Sequence, residues 1–220
     1  MNTPIVVGIT GASGAVYAVR LLEVLRAAGR DVHLSISPSG RDVLRQELKL
    51  NIDLEKFDAT SLLPRDGILH KAGDHPTGGA RIAGGDGSRS GGLHYYHHQD
   101  FMSPMASGSF LSAGMVICPC SGSTLSAVAN GAATNLIQRA AEVHLKERRK
   151  LVLVTREAPL SLAHIENMRR VTEAGAIVLP ASPGWYHKVD SIEDLVNFVV
   201  ARVCDQLGIE QSLTERWGAG

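Results

Sequence analysis

Residues 4–14 read PIVVGITGASG, and a helix-forming stretch follows from Ala15 to about Ala28. An apolar, β-branched run at 4–10 that ends in Thr and Gly predicts a short strand buried on both faces, the habit of parallel strands. Gly8, Gly11 and Gly14 let the backbone turn tightly into the helix, and Gly29 stands where a helix stop belongs. The same rhythm repeats outward from this unit. Strands are predicted at 31–37 (DVHLSIS), 114–119 (GMVICP), 150–155 (KLVLVT) and 176–180 (AIVLP), with Pro38 opening a helix after the second. Helical spacing covers about 121–130, 135–149, 160–174 and 191–207; in the last, Ile192, Leu195, Val196, Val199, Val200 and Val203 share one face. Strands alternating with helices specify an α/β fold, a parallel sheet covered on both sides.

The chain has 220 residues, 44% of them hydrophobic, which suits one globular domain spanning 1–220 and excludes a disordered chain. Lys+Arg 22 balance Asp+Glu 22, so the basic excess of a nucleic-acid binder is missing. No apolar run reaches the roughly 18 residues of a membrane span, and the start lacks a secretory leader pattern. Cys118, Cys120 and Cys204 form no disulfide framework, and Cys118-Pro119-Cys120 lacks the spacing of zinc or redox pairs. A cytoplasmic location is the expectation. One segment breaks the rhythm: 70–100 is rich in Gly and His without periodicity and reads as a solvated insertion loop. His94, His97 and His98 within it match no metal-ligand spacing.

Chemistry is expected at the carboxyl ends of the strands. The Gly8–Gly14 turn is G-x-x-G-x-x-G, able to cradle a phosphate or simply to turn the chain. An NAD site wants an acidic residue after the second strand, where this chain has Ser35, Ser37 and Pro38. After the 114–119 strand, Ser121, Gly122, Ser123 and Thr124 can cap a helix and donate to a phosphate or a flavin edge. On the 135–149 helix, Arg139 and Lys146 share a face with Leu136 and Val143, and Arg202 borders the apolar stripe of the last helix. Such cations have an anionic ligand, an interface carboxylate or a snorkelling position as alternatives. Arg156-Glu157 after the 150–155 strand can bind an anion and move a proton, or can close a loop as an ion pair.

Several segments together resemble the flavin prenyltransferases of the UbiX/Pad1 type. They are GITGASGAVYAVRLLEVL (8–25), SPMASGSF (103–110), MVICPCSGSTLSAVANG (115–131), NLIQRAAEVHLKERRKLVLVTREAPLSLAHIENM (135–168) and GAIVLPASPGWYH (175–187). The resemblance implies a flavodoxin-like Rossmann three-layer sandwich, FMN as the bound flavin and a homo-oligomer, typically a dodecamer. It implies metal-independent transfer of the dimethylallyl group of dimethylallyl phosphate to N5 and C6 of reduced FMN. The product, prenylated FMN, would serve a UbiD-type decarboxylase. By motif, Gly11, Ala12, Ser13, Ser37, Ser121, Gly122, Ser123, Thr124 and Arg156 are expected to hold FMN. Arg139, Lys146, Tyr186 and Arg202 are expected to grip the dimethylallyl phosphate. Glu157 is the expected proton carrier, with Lys146, Ser13, Glu47 from a neighbouring subunit and Trp217 completing the catalytic set. Phe101 and Trp185 stand where relatives often carry Trp and Phe. The rivals are a flavin-dependent cysteine-type decarboxylase on the same fold, whose PASANT-type motif is replaced here by PCSGST, and a non-catalytic flavin-binding subunit. An NAD-dependent reductase ranks below both.

Overall fold

Every residue of Ile5–Ile9 (β1), Gly114–Cys120 (β4) and Leu151–Thr155 (β5) is buried, as in strands with helices on both sides. In the computed structural model, which describes residues 3–63, 90–185 and 189–214, these strands form the middle of a six-stranded sheet. Val32–Ile36 (β2), Leu93–Tyr95 (β3) and Ile177–Pro180 (β6) complete it in the order β3-β2-β1-β4-β5-β6. Every neighbouring pair is parallel. Without the short edge strand β3, the order is that of a flavodoxin-like sheet.

Alternate residues of each strand feed two cores. Ala15–Ala27 (α1) and Ile192–Leu207 (α7), with Leu44 of Pro38–Leu48 (α2) and Leu62 of the short Ala59–Leu62 (α3), cover Ile5, Val7, Ile9, Val152 and Val154. Gly122–Asn130 (α4), Leu136–Lys146 (α5) and Leu162–Glu173 (α6) cover Val6, Met115, Ile117, Leu151 and Leu153 on the opposite face. The helix ends follow their caps: Asn135, Ser161 and Ser191 accept backbone N–H groups at the starts of α5, α6 and α7.

The Gly/His-rich segment departs from expectation. Its residues 70–89 lie outside the described residues, but 90–100 are not a plain loop, because Leu93–Tyr95 pair with β2 as an edge strand. Three residues are too few for a periodic signal; pairing and ring packing decide the matter instead. The His33 ring stands 5.0 Å from His94, 5.4 Å from Tyr96 and 4.7 Å from Phe110. His97 Nε2 lies 3.3 Å from a Glu55 carboxylate oxygen. Among the described residues, no three His, Cys, Asp or Glu side chains are grouped to hold a metal. No described helix is long and apolar enough to cross a membrane.

His144 on α5 is buried and fully bonded, Nδ1 to the Ala140 carbonyl at 2.7 Å and Nε2 to Ser112 Oγ at 2.7 Å. A carbonyl only accepts, so Nδ1 carries the proton and Nε2 accepts from the hydroxyl. Burial holds the pKa of His144 below its ordinary 6.5, so the unfolded chain binds the extra proton first on acidification. The stabilisation is complete above about pH 6.5 and is lost as pH falls toward the folded value. Melting temperature will therefore drop as the pH falls below about 6.5. The slope will be shallower in His144→Gln; parallel slopes for the two proteins would contradict the assignment.

Candidate functional site

The connection from β1 enters α1 on one face of the sheet, whereas that from β4 enters α4 on the other. A crevice opens between them at the carboxyl edge, where ligands of open α/β sheets bind. One buried hydroxyl closes its floor. Thr10 Oγ1 donates to the Pro119 carbonyl at 2.8 Å and accepts from Ser121 N–H at 2.8 Å, while Thr10 N–H reaches the same carbonyl at 3.2 Å. The β4–β5 register shifts between Ile117 and Cys120, which lets Pro119 sit inside a central strand.

The crevice walls hold most of the residues assigned to flavin. Ala12 is buried and Ser13 exposed in the turn before α1. Gly14 ends that turn at φ 111°, a left-handed conformation that favours glycine. Ser37 caps α2 by accepting from Gly40 N–H at 3.0 Å, and its own N–H donates to the Ile9 carbonyl at 3.0 Å. Ser121 caps α4, its Oγ 3.3 Å from Thr124 N, 3.0 Å from Thr124 Oγ1 and 3.1 Å from Ser123 Oγ. Arg156 and Glu157 follow β5, where Thr155 is in register with Cys120. Arg156 is exposed and has no ion-pair partner among the described residues. The exposed hydroxyls of Ser13 and Ser123 and this free guanidinium form a donor set suited to a phosphate-bearing flavin.

Two placements were not legible in the sequence. The α1 N-terminus is filled by a carboxylate: Glu47 accepts from Gly14 N–H at 3.0 Å and from Ala15 N–H at 2.8 Å. It thus engages its own chain, at the favourable end of the helix dipole. His164, which no motif singled out, sits with Nε2 3.6 Å from Glu157 Oε2. The spacing Ser161-x-x-His164, a capping box with an unusual last member, was the available signal.

The expected phosphate clamp does not gather in one protomer. Arg139 Nε donates to the Ala106 carbonyl at 3.3 Å and its guanidinium is 3.5 Å from Glu142. Lys146 pairs with Glu147. It ends α5 beside the loop that enters β4, where Arg149 donates to the Gly108 and Phe110 carbonyls at 2.6 and 2.7 Å. That is the amino edge of the sheet, about 17 Å from the crevice at about 3.3 Å per strand residue. Arg202 bonds Asp205 at 2.8 Å on α7, across the sheet from α5. Tyr186 and Trp217 lie outside the described residues, while Phe101 and Trp185 are exposed. Burial pushes the Cys120 thiol up to about 12 and Cys118 further, so both stay protonated and unreactive. A separate cavity of about 620 Å³ lies off the crevice, between α2 and the loops carrying Asp53, His97 and His98.

Comparison with known proteins places this geometry. A family model described as Flavoprotein matches residues 1–204. The flavin prenyltransferase UbiX of Pseudomonas aeruginosa is 44% identical over 214 residues, covering 97% of this chain and 93% of that protein. A crystal structure of AnUbiX in complex with FMN and dimethylallyl pyrophosphate superposes with TM-score 0.79 at 33% identity, over the full length of both chains. A dodecameric FMN-dependent UbiX-like decarboxylase from Escherichia coli superposes with TM-score 0.77 at 33% identity, covering 98% of this chain and 100% of that one.

Because the Thr10 hydroxyl joins β1 to β4 from a buried position, Thr10→Val strands the Ser121 N–H and leaves the Pro119 carbonyl only its longer bond from Thr10 N–H. Urea unfolding should show a loss of about 1–3 kcal/mol, and Thr10→Ser should recover most of it. Equal losses for Val and Ser would assign the effect to packing.

Proposed function

The chain belongs to the flavoprotein family and within it to the UbiX-type flavin prenyltransferases, which makes it a transferase. From that premise we propose that it transfers a dimethylallyl group from dimethylallyl phosphate to N5 and C6 of reduced FMN, without a metal. The observation that carries this reading is the crevice at the β1/β4 switch point, with Ser13, Ser37, Ser121–Thr124 and Arg156 around it and a carboxylate, Glu157, at its rim.

Each part has a physical task. Ser13, Ser37 and the α4 turn orient the flavin, and Arg156 neutralises its anionic edge. The C–O bond to phosphate breaks with its electron pair leaving on phosphate, and the allylic carbon bonds N5 as N5 gives up its proton. Ring closure joins C6 to the alkene; one proton leaves C6 and one is added to the alkene carbon. Glu157 is the group within the crevice able to carry such a proton. Negative charge growing on the departing phosphate is offset by Arg139, Lys146, Tyr186 and Arg202, which act most strongly where water is excluded.

In one protomer Lys146 stands at the other edge of the sheet, while Arg139 and Arg202 are tied to Glu142 and Asp205. The reading therefore requires that a neighbouring copy bring its Arg139, Lys146 and Arg202 to this crevice, and a homododecamer satisfies that need. Glu47 and Trp217 complete the site in the same assembly. The chain is proposed to act in the cytoplasm, with no nucleic-acid or membrane partner, and to hand prenylated FMN to a UbiD-type decarboxylase.

Under anaerobic conditions, the protein with reduced FMN and dimethylallyl phosphate should give prenylated FMN by mass and absorbance, with a chelator present throughout. Recovery of unchanged FMN would sink the proposal, and a parallel reaction with the pyrophosphate defines the leaving group. Glu157→Gln should slow ring closure by about 100-fold or more. Mixing Lys146→Ala protomers, inactive alone, with Ser13→Ala protomers should restore part of the activity if sites are shared between copies. No restoration would place each site within one chain.

A further inference from the structure

We infer that His164 is a positioning residue, holding the Glu157 carboxylate at the crevice rim through its Nε2–H; this rests on the reading of Glu157 as proton carrier. The tautomer follows from the ring's other side. His164 Nδ1 lies 3.4 Å from Ser161 N–H and 2.7 Å from Ser161 Oγ. A backbone N–H can only donate, so Nδ1 is an acceptor and the proton of the neutral ring sits on Nε2. That nitrogen faces Glu157 Oε2 at 3.6 Å, just beyond hydrogen-bond length, as contacts of catalytic groups often are before substrate binds and tightens them.

The ring is held in place from below. A Cβ on Gly122 would stand 2.6 Å from His164 Nε2 and 3.1 Å from Cδ2, so any larger residue at the start of α4 would push the imidazole from this position. The side chain thus spans from the flavin-facing turn of α4 to the loop after β5, and its own helix fixes its base. Capping alone does not call for histidine. Glu or Gln at the third helical position completes such a box, and Glu would place a second carboxylate against Glu157. Histidine caps with one nitrogen and offers a donor with the other.

This distinction sets the test. His164→Gln keeps an acceptor for Ser161 N–H and an amide donor for Glu157, whereas His164→Glu keeps the cap and loses the donor. Both variants should melt close to the native protein. Turnover of His164→Glu should fall about tenfold or more with KM for dimethylallyl phosphate nearly unchanged, as for a displaced catalytic group. His164→Gln should stay within about threefold of native. In a Glu157→Gln background, His164→Glu should add little further loss. Equal rates for His164→Glu and His164→Gln, or fully multiplicative losses in the double variant, would overturn the inference. Imidazole ¹⁵N shifts of the flavin-free protein, assigned by difference against His164→Gln, should show the Nε2–H tautomer; the Nδ1–H tautomer would also overturn it. A native rate in Glu157→Gln would instead remove the reading on which the inference rests, and is distinguished by being independent of His164.

Discussion

The hydroxyl of Thr10 is the joint on which the site depends. It is buried where β1 and β4 end, and it donates to one backbone group and accepts from another on the neighbouring strand. Two adjacent parallel strands whose helices leave to opposite faces must separate at their ends, and unpaired backbone groups would be exposed in the gap. A single Thr side chain satisfies those groups without filling the crevice. The cap of α4, the turn before α1 and the placement of Ser121 all follow from that seam.

Around it, the sheet divides the chemistry by its edges. Among the described residues, the carboxyl edge carries neutral hydroxyls, the exposed Arg156 guanidinium, the Glu47 carboxylate on the α1 N-terminus and the His164–Glu157 pair. The cations suited to a leaving phosphate sit on α5 and α7, tied meanwhile to Glu142, Glu147 and Asp205. Those local ion pairs are partly exposed and weak, so an incoming phosphate can replace them at small cost. This division is what the proposed sharing of sites between copies would draw on. Little charge repulsion opposes self-assembly, and no cation of the clamp is buried without a partner in the isolated protomer.

Much of this was legible beforehand because it rests on local rules. Hydrophobic runs of strand length, helical spacing and Gly at turns located β1, β2, β4, β5 and β6 and the long helices within a residue or two, apart from α2, of which only the Pro38 start was read, and α5, which ends at Lys146 where Arg148 turns to positive φ. The edge strand at Leu93–Tyr95 escaped because three residues carry no period, and its pairing depends on β2 being already in place. Glu47 and His164 escaped for the same kind of reason. Glu47 was expected to reach the site from a neighbouring subunit and His164 was not singled out, yet each reaches a group made available by a different element of its own chain.

The sequence by itself determined the α/β alternation, the parallel sheet, the glycine- and serine-rich turns and the family to which they belong, since these depend on neighbours along the chain. Only the tertiary structure decided which side chains meet. It put Thr10 against Pro119, Glu47 on the α1 N-terminus and His164 between Gly122 and Glu157. It also put Lys146 at the amino edge, away from the crevice, and paired Arg139 with Glu142 and Arg202 with Asp205. Strand order and helix direction fix those distances, and neither is encoded in the spacing of residues along one segment.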